Sequence, residues 1–444
     1  MPMPHVGAAS LSIAPPLGVS MPGYFADRRA SGYRDEVGVH ALWVEAEPPL
    51  ALLSLDVIAL ERETVATIRA AAAERLGLPG ERLLIAATHT HTGPPSRPYF
   101  ASDAQDAAYL ESLTDRCVEA LAAAQAGKRP ARLGVASRLV PGLQFNRRYW
   151  MRDGSVQTNP GIQNPEVVRP AGPVDPTMYL VAFQPVEDGP PALLVNYALH
   201  ADTVGGTEVS ADFPGVLRRR LQAELGPETT VLFFNGPAGD INHIDVLGGE
   251  APAEHSRELF MKTHRPPELT QRIGESLAAA ALGLLPGMDF TEDWPVVEAH
   301  TALRIPTRQP AAEQVEYGRK LLETHRPEDL YETDDVYALA ALRLSESGLT
   351  EVELEIQAMR MGNTALVGIP CEVFTELGQL IQANSPWPQT LIVELANGCE
   401  GYLPTARAFA EGGYEIRLSR SSKLIPEAGD MIVAQATELL RQLG

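Results

Sequence analysis

The chain alternates short apolar runs with longer stretches of helical periodicity. "LALLSLDVIAL" is followed by "RETVATIRAAAAERLG", and "RLLIAA" by "DAAYLESLTDRCVEALAAAQAG", so strands and helices are predicted to take turns. Further on, "MYLVAFQP", "ALLVNYALH" and "TVLFFNG" read as buried strands, with "FPGVLRRRLQAELG" as the helix between the last two. From about 250 to 310 the chain turns polar. "PVVEAHTALRIP" and "TEVELEIQAMRMGNTALVGIP" then supply strands around a charged helical stretch at 311–347. "TLIVELANGCEGYLPT" is strand then loop, and a closing helix is predicted near 425–443. The expected fold is α/β: one large domain over 1–444, a mixed sheet layered with helices. A lobe inserted at about 250–350 is the candidate subdivision, although no linker marks its ends.

Composition narrows the function more than the fold. The 36 Lys+Arg and 57 Asp+Glu leave a formal net charge of -21, which disfavours nucleic acid and anionic membrane as partners. Three cysteines at scattered spacings, Cys117, Cys371 and Cys399, read as reduced thiols and fit a cytoplasmic setting. The first residues lack the basic and apolar regions of a secretion signal, and no apolar run is long enough to span a bilayer. No repeat recurs along the chain. The expected partner is a small molecule; the sequence leaves a homo-oligomer open.

Candidate chemistry gathers at predicted strand ends. In "ERLLIAATHTHTGPPS", His89 and His91 sit i, i+2 after an apolar strand and before Gly93-Pro94-Pro95, so they share a face if the strand continues through Thr88. Two buried imidazoles need a metal, an acid or hydrogen bonds. His200 ends a second strand, and histidines delivered at two strand ends suit a site at one rim of an α/β sheet. A catalytic zinc needs one or two further N/O donors and an open position. Glu372, after "TALVGIP", and Glu400 and Tyr402, after "LIVELANGC", stand where such donors belong. Taken alone, Glu372 reads first as a carboxylate in the opening turn of a helix and Tyr402 as a packed aromatic.

The ordered motifs "ATHTHTGP", "FNRR", "YALH", "SADFPG", "GPAGDIN", "IPCEVFT" and "GYLPT" together resemble the neutral/alkaline ceramidases, zinc amidases that cleave the N-acyl bond of ceramide. The resemblance covers essentially the whole chain and implies a ceramidase catalytic-domain fold without that family's C-terminal immunoglobulin-like domain. It implies His89, His200, Glu372 and Tyr402 as zinc ligands, His91 as acid/base, and Arg147, preceded by Asn146, as the contact for the developing oxyanion. Asp240 and Asn242 become the expected substrate contacts. Here the sequence departs from the family: Asn242 takes the place of its pocket serine and His243 that of the following proline. The resemblance therefore implies an amidase of a small soluble N-acyl compound rather than of ceramide itself.

Two other readings remain open. In amidohydrolase-type metal hydrolases both histidines of an HxH bind metal, with eight regular βα repeats and a further lysine or aspartate ligand; neither is evident here. A metal-binding protein without activity on the same fold would need neither His91 nor Arg147.

Overall fold

Leu83–Ala87 carries no polar side chain and is buried on both faces, the pattern of a strand inside a layered core. It lies at one margin of a nine-stranded sheet in the computed structural model, which describes residues 3–25, 27–97, 103–248, 265–326, 333–419 and 421–444. Across the sheet the strands run Thr230–Asn235, Ala192–Tyr197, Thr177–Pro185, Arg129–Leu139, His5–Ser12, Gly38–Glu45, Leu50–Leu55 and Leu83–Ala87, with Phe290–Thr291 added on Arg129–Leu139. Neighbours are antiparallel except at the two margins. There Ala192–Tyr197 is parallel to Thr230–Asn235, and Leu50–Leu55 to Leu83–Ala87. A four-stranded sheet orders Val296–Pro306, Glu351–Met361, Thr364–Ile369 and Gln389–Glu394, the last two parallel.

Each parallel pair needs a crossover, and a helix supplies it: Asp212–Leu225, Arg62–Leu76 and Thr375–Asn384 respectively. The large sheet brings its margins together, because the Ser54 hydroxyl donates to the Phe233 carbonyl at 2.6 Å. The smaller sheet joins at the same place. Asn397 N–H donates to Ile85 O at 2.7 Å, and the Asn196 side chain to Ile392 O at 2.9 Å. Leu52, Leu84, Phe183, Leu194, Leu232, Leu366 and Leu391 form one apolar cluster across both sheets. Three carboxyl ends of parallel strands thus face one region, where α/β folds place their sites.

The α/β mixed sheet layered with helices is as expected. The charged stretch at 311–347 contains two helices, Ala312–Thr324 and Thr333–Ser347, and the closing helix is Ala428–Gln442. Within 250–350, residues 250–264 and 327–332 lie outside the described ones. Pro267–Leu284 packs Ile273, Leu277 and Ala281 against Leu217 and Phe233, while Val296–Pro306 belongs to the smaller sheet.

Beneath the histidine loop lies a buried charge cluster. Asp56 is fully buried and accepts from Arg218, from Gly38 N–H at 2.9 Å and from the Thr88 hydroxyl at 3.2 Å, with His40 Nε2 at 3.4 Å. Burial alone would raise this carboxyl, but Arg218 and His40 outweigh it and hold it at about 2.

Candidate active site

The two histidines converge, though not by strand alternation. The strand stops at Ala87, and His89 takes a left-handed backbone with φ 69°. The cause is capture of the chain by the segment after Leu50–Leu55: Thr88 N–H donates to Leu55 O at 2.8 Å and His89 N–H to Val57 O at 3.0 Å. The His89 ring is then fixed from behind, with Nδ1 2.7 Å from Ile58 O. A carbonyl only accepts, so Nδ1 carries the proton and Nε2 presents its lone pair.

His200 Nε2 lies 3.1 Å from His89 Nε2 and 3.1 Å from His91 Nε2, and one nitrogen from each ring lies within 4.8 Å of the others. Ligand nitrogens 2.0–2.1 Å from a tetrahedral zinc sit roughly 3.3 Å apart, so this spacing fits a metal. Burial pushes the His91 imidazole down to about 3 and His200 well below its ordinary value. Both are therefore neutral, the form in which imidazole ligates.

Glu372 and Tyr402 face each other across a parallel pair of two-residue strands, Glu372–Val373 and Tyr402–Leu403, in direct register. Glu372 Oε2 lies 3.6 Å from His89 Nε2 and is buried without a hydrogen-bond partner. A buried carboxylate oxygen without a hydrogen-bond partner beside imidazole lone pairs is one that a bound cation would satisfy. The donor set fits zinc, with Glu372 adjoining the histidines and Tyr402 beside Glu372.

Arg147 lies with its guanidinium carbon 5.0 Å from the centre of the Tyr402 ring. Its Nε donates to Glu415 Oε1 at 2.8 Å and its Nη2 to Gly239 O at 2.8 Å. Burial opposes the charge, but Tyr402, Glu415 and Glu372 outweigh it and keep the group firmly protonated. Burial likewise raises the Tyr402 hydroxyl well above its ordinary value, with Arg147 pulling the other way.

These residues open onto a cavity of about 1380 Å³, whose lining includes His89, His91, Arg147, Glu372 and Tyr402. His200 supplies its nitrogen from behind that wall. Asp240 and Asn242, the expected substrate contacts, are not among the lining residues. Asp240 accepts from Thr375 N–H at 2.9 Å and from the Asn146 amide at 2.7 Å, and its carbonyl takes Arg147 N–H at 2.8 Å. Asn242 donates to Asn159 at 2.6 Å, and it is Asn159 that lines the cavity.

Sequence reasoning missed two supporting groups. Asp202, only two residues past His200, accepts from Tyr24 and Arg265 and places Oδ1 3.8 Å from His91 Nδ1, itself buried without a hydrogen bond. Glu415, the counter-ion of Arg147, comes from "GGYEIR", which carries no recognisable motif.

No protein-family model and no curated protein matches the chain. In fold it is a mixed α/β protein of the ceramidase-like kind. The crystal structure of neutral ceramidase from Pseudomonas aeruginosa is similar with a TM-score of 0.73 at 17% identity, covering 99% of this chain and 74% of that one. A structure described as ceramidase complexed with C2 is similar with a TM-score of 0.72 at 16% identity, covering 99% and 75%.

Proposed function

We propose that the protein is a zinc-dependent hydrolase of an amide (N-acyl) bond, acting in the cytoplasm on a small soluble substrate. The observation that carries this reading is the meeting of His89, His91 and His200 beside the orphaned Glu372 oxygen. The ceramidase-like fold supports the amide as the bond cleaved, since its solved neighbours are ceramidases. Charged groups on the cavity lining, among them Arg62, Arg97, Glu63 and Glu353, favour a polar substrate over a long acyl chain. Among the described residues no helix is long and apolar enough to cross a membrane.

His89, His200, Glu372 and Tyr402 would hold the metal. Bound zinc supplies Lewis acidity towards the amide carbonyl. His91 accepts the proton of the attacking water at Nε2 and returns it to the leaving nitrogen, a role worth ~10²–10⁴ in rate. Asp202 orients the opposite edge of that ring. Arg147, held by Glu415, neutralises the charge that grows on the carbonyl oxygen.

One distance favours a second assignment. His91 Nε2 lies as close to His200 Nε2 as His89 does, at 3.1 Å, so His91 can serve as a third imidazole ligand. His91→Ala decides between them. Metal retained with hydrolysis of short N-acyl amides lost by about 10²-fold or more fits the acid/base role; a metal-free variant makes His91 a ligand. If the wild-type protein hydrolyses no amide in a panel of graded acyl length, the amidase reading fails.

A further inference from the structure

The cavity cations differ in what holds them. Arg62 pairs with Glu353 at 2.5 Å, Arg147 with Glu415 at 2.8 Å and Arg417 with Asp334 at 2.6 Å; Lys423 pairs with Glu400, and Arg343 is also engaged. Arg97 is the exception. It lines the cavity half-buried and has neither a hydrogen bond nor an ion pair with any described residue.

Its position is set by a tether. Ser96 is fully buried, and its hydroxyl donates to Ala59 O, one residue beyond the Ile58 carbonyl that fixes His89 Nδ1. Arg97 therefore springs from a point tied to the same segment that orients the metal-site histidine. Arg97, Cys399 and the candidate ligand Glu372 line the same cavity, and the Cys399 thiol, raised by burial, feels Arg97 and Glu372 in opposite directions. A half-buried guanidinium that has no counter-ion among the described residues and lines the cavity of the candidate metal site is suited to recognise an anion, and its planar fork suits a carboxylate.

We propose that Arg97 binds a carboxylate on the substrate, placing the substrate among N-acyl amino acids and related acidic amides. This rests on the amidase reading, with the scissile carbonyl towards Arg147 and the carboxylate towards Arg97. Such a group matches the one cavity cation that has no partner among the described residues, and an amide lacking it leaves that cation desolvated and unmatched.

The test compares N-acetyl amino acids with their neutral carboxamides and with N-acetyl-O-phosphoethanolamine, using wild type, Arg97→Lys and Arg97→Gln. Wild type is expected to prefer the carboxylate over the carboxamide. Arg97→Gln should lower that preference by about 10–100-fold, mainly through KM, the range expected for a lost charge-assisted hydrogen bond. Arg97→Lys should restore part of it. A wild-type preference for the carboxamide or the phosphate, or a preference that Arg97→Gln leaves intact, overturns the proposal. Calorimetric titration with acetate and with a free amino acid separates the two readings. If no amide is hydrolysed, the amidase reading falls while Arg97-dependent carboxylate binding upholds the subsite; absence of that binding overturns it.

Discussion

Replacing Arg218 by methionine should reverse the acid dependence of stability. In the wild-type protein Asp56 is fully buried and held at about 2 by Arg218 and His40, against 3.8 when unfolded. The folded value is depressed, so this contribution is present above pH 3.8 and is lost as pH falls through about 2. That interval is worth about 2 kcal/mol at about 1.4 kcal/mol per pH unit. Arg218→Met leaves the buried carboxylate with His40, Gly38 N–H and the Thr88 hydroxyl but without its arginine counter-ion, and removing one partner of a buried pair costs about 3–5 kcal/mol. Burial then raises Asp56, so its contribution worsens as pH climbs above 3.8. The double variant Arg218→Met/Asp56→Asn should recover much of the loss, because the uncompensated charge is gone. Urea unfolding between pH 2.5 and 7 reads both magnitude and slope. Because Asp56 also accepts from Thr88, next to His89, metal retention should weaken in Arg218→Met. A variant within 1 kcal/mol of wild type at pH 7, with the same loss towards pH 2, would refute the reasoning.

Two other changes probe the supports of the site. A Cβ at Gly239 would stand 2.4 Å from the Glu372 carbonyl oxygen, so Gly239→Ala should displace Glu372 and lower metal affinity; equilibrium dialysis showing unchanged affinity would count against Glu372 as a ligand. Glu415→Gln leaves Arg147 buried without its counter-ion. It should cost about 3 kcal/mol in chemical denaturation, and steady-state kinetics should show kcat falling more than KM rises.

The sequence exposed the parts of this structure that rest on periodicity and strand ends. Leu83–Ala87, Ala192–Tyr197 and Thr364–Ile369 are predominantly apolar and buried throughout because their sheets are covered on both faces, and the candidate residues His89, His200 and Glu372 follow them. That the margins of the large sheet close on each other was not legible, since it depends on contacts such as Ser54 to Phe233, 179 residues apart. The turn at His89 was misjudged for a related reason: its left-handed backbone is imposed by carbonyls of Leu55 and Val57 from a neighbouring strand exit. Asp240 and Asn242 were read from motif position as substrate contacts, yet their hydrogen bonds run to Asn146, Thr375 and Asn159. Arg97 lies six residues past His91 in a stretch without periodicity, and only its place on the cavity lining with His89, His91 and Glu372 gives it meaning.

The most direct test of the central claim is the metal content of protein purified without chelators, measured by mass spectrometry alongside His200→Ala. His200 Nε2 is within 3.1 Å of both other candidate nitrogens, and among the described residues no second cluster could take its place. The account predicts one zinc per wild-type chain and loss of that zinc from a folded His200→Ala. Wild-type protein free of transition metal, or a His200→Ala variant that keeps its zinc, would contradict it.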